Sequence, residues 1–150
     1  MTEVRVVAER RVAAPPDHVY RCIADFNEHH PRFLPPAFSD FRVEEGGVGA
    51  GTVASFRLTA GGRTRAYRVR VDEPDPGRVL TESDQLSSSV TSFVVTPEGS
   101  GARVRIETRW QGAGGVGGVF ERLFAPRVLR RLYADELDRL DRHAQATAPG

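Results

Sequence analysis

From Phe38 to Trp110 the chain alternates apolar and polar residues with a period of two, and short turns cut that stretch into six pieces. The pieces are 38–45, 52–60, 64–73, 78–84, 89–97 and 102–110, and GGVGAG, GG, PDPG and EGSG are among the segments that join them. Alternation of this kind puts one face of each piece on a core and the other in water. Turns this short bring the chain back antiparallel to itself. A further alternating run at 4–13 raises the expected strand count to seven.

Both ends of this meander are flanked by helical patterns. After the first strand comes AAPPDHVYRCIADF. Pro15 and Pro16 suit a helix start, where a missing N–H costs little. Asp17 places an acid in the first turn, and Val19, Tyr20 and Ile23 share a face. This predicts a short helix to about Asp25. NEHHPRFLPP predicts a second helical turn, ended by Pro31 and by Pro35–Pro36. From Phe120 to Ala144 apolar residues recur every three to five positions, which predicts a long amphipathic helix. Asp135–Arg139 and Asp138–Arg142 are supporting i,i+4 pairs with the acid on the N-terminal side. Pro126 lies inside the periodic stretch and predicts a kink or break. The expectation is one α+β domain over 1–150: a seven-stranded antiparallel sheet, two short helices after the first strand, and a long kinked C-terminal helix.

WQGAGGVGGVF joins the last strand to that helix, and Gly112, Gly114 and Gly117 in it spell G-x-G-x-x-G. A dinucleotide loop needs a parallel strand after the helix, and no further strand pattern follows. A phosphate loop of the other common kind needs a lysine, and all 21 basic residues are arginine. The segment therefore reads as a flexible strand-to-helix hinge. The net charge of +1 argues against a nucleic-acid binder. No run is long and apolar enough for a membrane span, and the charged start lacks a signal core. With Cys22 as the single cysteine, a cysteine-based metal site is not expected. A cytoplasmic protein without cofactor fits these features. The sequence leaves the oligomeric state open.

VAAPPDHVYRCIADF, HHPRFLPP, GGVGAGT, FVVTPEGSGARVRIE and LFAPRVLRRLYADELDRL resemble segments of the START-like, birch-pollen-allergen-like superfamily (SRPBCC), in its polyketide cyclase/dehydrase-type branch. The resemblance spans about residues 4–143. It implies a helix-grip fold, in which the sheet curls around the last helix and encloses an apolar pocket. It also implies a hydrophobic small-molecule partner: a lipid, a polyketide or an aromatic metabolite. A carrier or sensor needs only such a pocket. A polyketide cyclase, aromatase or dehydratase would also need acid–base groups inside it. An interaction protein, with its interior filled by side chains, is a third possibility.

Strand alternation selects the side chains for a pocket wall. Phe56, Tyr67, Thr91, Phe93 and Trp110 fall on the apolar faces, and Phe120 and Phe124 on the helix. Sequence does not separate core from wall for these residues. On 78–84, either Val79, Thr81 and Ser83 point inward or Leu80, Glu82 and Asp84 do. The simpler expectation leaves Glu82 facing solvent near an edge. If it instead faces a pocket, burial would raise its pKa, and with Tyr67 it would suit proton transfer. His18 is expected on the surface of the first helix, His143 on the last helix, and Cys22 as a small buried residue. His29 and His30, adjacent on one segment, are poorly placed to share an ion, and no third ligand has suitable spacing, so no metal is expected. Either one suits the pocket mouth, where this segment and the glycine hinge would form a mobile entrance.

Overall fold

The computed structural model describes residues 3–112 and 115–149, with side chains outside 113–124. Strand β1 (Glu3–Val12) is followed by helix α1 (Pro16–Ala24) and a single 3-10 turn (His30–Phe33). Then come β2 (Phe38–Glu45), β3 (Val53–Ala60), β4 (Arg63–Asp75), β5 (Val79–Asp84), β6 (Val90–Glu98) and β7 (Gly101–Gln111). Helix α2 (Gly115–Thr147) ends the order. The seven strands form one sheet in the order β1-β7-β6-β5-β4-β3-β2. Every neighbouring pair is antiparallel, from Glu3 opposite Gln111 at one side to Phe38 opposite Leu58 at the other.

Three elements differ from the sequence expectation. Pro31 does not end the second helical turn; it sits at its start, where the lost N–H has no intrahelical role. Of the kink or break expected at Pro126, the break does not occur: one backbone donor is lost and α2 continues past it. The hinge is also shorter than the glycines suggested, because Gly115, Gly117 and Gly118 already belong to α2.

The inner face of the sheet, α1 and α2 share one apolar core. Its wholly buried members include Val6, Ile23, Phe33, Leu80, Ile106 and Leu140. Arg68 and Arg70 of β4 and the arginines of β7 occupy the opposite, wetter face, where Arg5 and Arg105 both meet Glu107. The glycine turn after β2 is required by close approach. Gly49 has φ +69°, and a Cβ there would collide with the Glu73 carboxylate, which accepts the Ala50 N–H at 2.7 Å.

Asp141 ties α2 to the end of β1. Its carboxylate accepts the Ala13 N–H at 2.8 Å and the Arg10 guanidinium at 3.1 Å. Burial alone would raise its pKa, but those donors and the Gln145 amide outweigh burial and hold it below the ordinary value. The stabilisation is therefore present above the usual carboxylate range and is lost as pH falls through the lowered value. Asp141→Ala is expected to cost about 1–2 kcal/mol at neutral pH and much less in acid. Urea denaturation at two pH values checks this; an equal loss at both would remove the ionic account.

Candidate functional site

Between α2 and the inner face of β3 to β7 the described side chains do not fill the space. They leave a cavity of about 1070 Å³. Alternation brings Phe56, Tyr67, Thr91, Phe93 and Trp110 to its wall, as their strand positions require. The side chains of Phe120 and Phe124 lie outside those described. The β3–β4 hairpin, with Gly61, Arg63 and Arg65 exposed, marks the outer end. Phe26, His30 and Phe93, all buried, line it at depth.

Aromatic side chains make much of the wall. Phe56 stacks on Tyr67 with centroids 5.3 Å apart, and the Arg65 guanidinium lies 5.1 Å from the Tyr67 ring centre. Tyr67 is raised in pKa, chiefly by burial, so its hydroxyl stays protonated at neutral pH. Opposite, the Tyr133 hydroxyl of α2 shares a hydrogen bond of 2.6 Å with Thr108, which shares one of 2.7 Å with Thr91. This chain of hydroxyls joins α2 to β7 and β6 and faces the cavity.

Glu82 is the largest departure from expectation. It does not face solvent near an edge: β5 lies in the middle of the sheet, and Leu80, Glu82 and Asp84 form its inner face. The pairing of Val71 with Glu82 and of Glu82 with Thr91 fixes that orientation from both neighbours. Burial pushes the Glu82 carboxyl up to about 8, so it is neutral at pH 7.

His30 does not sit at the pocket mouth. It is 3% exposed, stacked on Phe26 at 4.3 Å and bounded by Phe33 and Phe93. Its Nδ1 lies 2.7 Å from the Ile23 carbonyl, which places the proton on Nδ1 and leaves Nε2 as an acceptor. Burial lowers its pKa to about 4. His30 Nε2 lies 3.6 Å from Glu82 Oε2, close enough for an ion pair. Both groups are fully enclosed, however, and the cost of burying two charges favours the neutral acid beside the neutral imidazole.

Glu136 adds a second buried acid, from α2. Burial raises its pKa well above the ordinary value, and Glu82 and Asp135 push in the same direction. The helical periodicity held a signal for it: Glu136 lies three residues after Tyr133 and four before Leu140, on the apolar stripe. Asp84, also inward, has a structural task. It accepts the Arg68 and Leu86 N–H groups and the Ser87 hydroxyl, which closes the β5–β6 loop.

Among the described residues, the one set of three metal-ligating side chains lies elsewhere, where α1, the 3-10 turn and α2 meet. No described helix is long and apolar enough to cross a membrane.

Comparison with known proteins agrees with this architecture. Residues 3–145 match the family described as polyketide cyclase / dehydrase and lipid transport. The solution structure of KanY protein (ms6282) is 38% identical with TM-score 0.86, over 97% of this chain and 99% of that one. TTHA0849 from Thermus thermophilus is 22% identical with TM-score 0.81, over 99% and 100% of the two chains. The Zhui aromatase/cyclase of a Streptomyces species shares the fold at 18% identity and TM-score 0.75, over 99% and 100%. No curated protein matches the sequence.

Proposed function

Because this chain belongs to the polyketide cyclase/dehydrase and lipid transport family, we propose that its cavity takes up a hydrophobic small molecule of aromatic or polyketide type that carries oxygen functions, and that the protein is its carrier or sensor. The observation that carries this reading is the combination of aromatic walls with two neutral carboxyl groups, Glu82 and Glu136, buried inside them. A cavity of about 1070 Å³ suits a molecule of several fused rings. A purely hydrocarbon guest would leave the buried acids without partners, at about 1–3 kcal/mol for each unsatisfied group. A carbonyl or phenol oxygen accepts the Glu82 or Glu136 proton and removes that cost. The Thr91–Thr108–Tyr133 hydroxyls offer a second polar contact on the facing wall.

Native mass spectrometry of protein purified without detergent tests the reading by looking for a co-purified small molecule. Val69→Trp is the companion variant. Val69 lines the cavity on β4, with Ala54 and Asp84 as its strand neighbours, so an indole there projects into the space a ligand would fill. Ligand binding is expected to fall by about 100-fold or more, a loss of roughly 3 kcal/mol. The wild-type and variant circular dichroism spectra should coincide. Undiminished binding to the Trp variant would place the ligand outside this cavity.

A second reading, catalysis of a cyclisation or dehydration, is favoured by the pairing of His30 with Glu82. A carboxyl raised to about 8 holds its proton at neutral pH yet releases it readily, as a general acid must. His30 Nε2 is a nearby lone pair to receive a proton.

A further inference from the structure

Three of the four histidines and the one cysteine of this chain gather where α1, the 3-10 turn and α2 meet, and none of them lines the cavity. His18 and Cys22 stand one turn apart on α1, His29 precedes the 3-10 turn, and His143 comes from α2. One ligand atom each from Cys22, His29 and His143 lies within 4.8 Å of the others. His29 Nδ1 is 2.9 Å from His143 Nε2. His18 Nε2 is 3.6 Å from Cys22 Sγ and 3.0 Å from Thr147 Oγ1. His18 is buried rather than on the helix surface, because the C-terminal end of α2 covers it, and its Nδ1 is buried without a hydrogen-bond partner.

We infer that Cys22, His29 and His143 form a binding site for a zinc-type divalent transition-metal ion, with His18 beside the thiolate as fourth ligand or as its positioning partner. The donor set is one sulfur and imidazole nitrogens without a carboxylate, which selects zinc or cobalt over calcium or magnesium. A tetrahedral ion with metal–sulfur bonds of about 2.3 Å and metal–nitrogen bonds of about 2.0–2.1 Å sets its ligand atoms roughly 3.3–3.6 Å apart. The His29–His143 separation of 2.9 Å needs to open by a few tenths of an ångström, and the three-atom set, within 4.8 Å, needs to contract by about 1.2 Å at most. Between His29 and His143 the ion would take the place of the proton that now joins the two rings. The nearby charges are mixed, Arg21 and Asp25 around Cys22 and Arg32 near His143, and burial raises the Cys22 thiol, so affinity would come from the metal–sulfur and metal–imidazole bonds and not from the surrounding field. The ion would bind α1, the turn after it and α2 together, and so fasten the helix that carries Tyr133 and Glu136.

Untagged protein freed of metal by chelation and titrated with Co²⁺ tests this. One equivalent is expected to bind with a thiolate-to-cobalt charge-transfer band, to be displaced by Zn²⁺, and to raise the melting temperature. Cys22→Ser should abolish the charge-transfer band. Because Cys22 is fully buried, His143→Gln at a half-buried position is the second variant; it should keep the native circular dichroism spectrum and weaken Co²⁺ binding by about tenfold or more. Absence of stoichiometric binding to the wild type would overturn the site and leave a hydrogen-bonded histidine pair. Binding that survives both variants would overturn it too, by placing the ion elsewhere.

Discussion

Glu82→Gln is expected to stabilise the protein by on the order of 5 kcal/mol at pH 9 and to change it little at pH 4. In the unfolded chain the carboxyl ionises near its ordinary value of 4.5, whereas burial holds it to about 8 in the fold. Below pH 4.5 both states carry the proton and burial incurs no ionisation penalty. As pH rises from 4.5 to 8 the unfolded state releases its proton while the folded state retains it, so wild-type stability falls across that window. Glutamine keeps the shape and the hydrogen-bond donor but cannot ionise, so it escapes the fall. Urea denaturation of both proteins at pH 4, 7 and 9 measures the difference. A constant difference across the three would show that Glu82 ionises alike in the folded and unfolded chain, so that burial does not hold its proton. The same variant separates the two functional readings. A carrier keeps most of its ligand affinity, because the amide N–H₂ still donates to an oxygen. A catalyst loses turnover by about 10²–10⁴-fold, the usual contribution of a general acid.

Leu140→Ala is expected to cost about 2–5 kcal/mol, the range for truncating a fully buried leucine. Leu140 is wholly buried in the shared core and does not line the cavity, so the void it leaves is separate from the space offered to a ligand. Its neighbours on α2, Leu137 and Ala144, are buried with it, and Asp141 beside it holds the end of β1. The loss should therefore weaken the docking of α2 before it disturbs the hairpins of β3 to β6. Hydrogen exchange would show faster exchange across α2, with β5 and β6 less affected. A loss below about 1 kcal/mol would mean that the core closes over the missing atoms.

The alternating residues of the meander made the sheet legible, and five of the seven wall candidates follow from that period alone. The sidedness of β5 was not legible, because VLTESD alternates equally well either way. Its central place between β4 and β6 decided it: the Val71–Glu82–Thr91 row shares one face, and the neighbours' apolar residues fix which face is inner. His30 illustrates a second limit. Nothing in HHPRF distinguishes a solvent-facing ring from a buried one, and only the packing of Phe26, Phe33 and Phe93 around it does so.

The sequence by itself determined the order of elements, the antiparallel meander and the amphipathic closing helix. These depend on periodicity and turn chemistry, which act over a few neighbouring residues. The tertiary structure alone decided which polar groups are enclosed and which distant side chains meet. His30 reaches Glu82 across 52 positions and His29 reaches His143 across 114, and such encounters depend on how the sheet curls and where α2 lies. Burial and charge pairing are properties of that three-dimensional arrangement, so the ionisation of Glu82 and the gathering of Cys22, His29 and His143 arise only once the chain has folded.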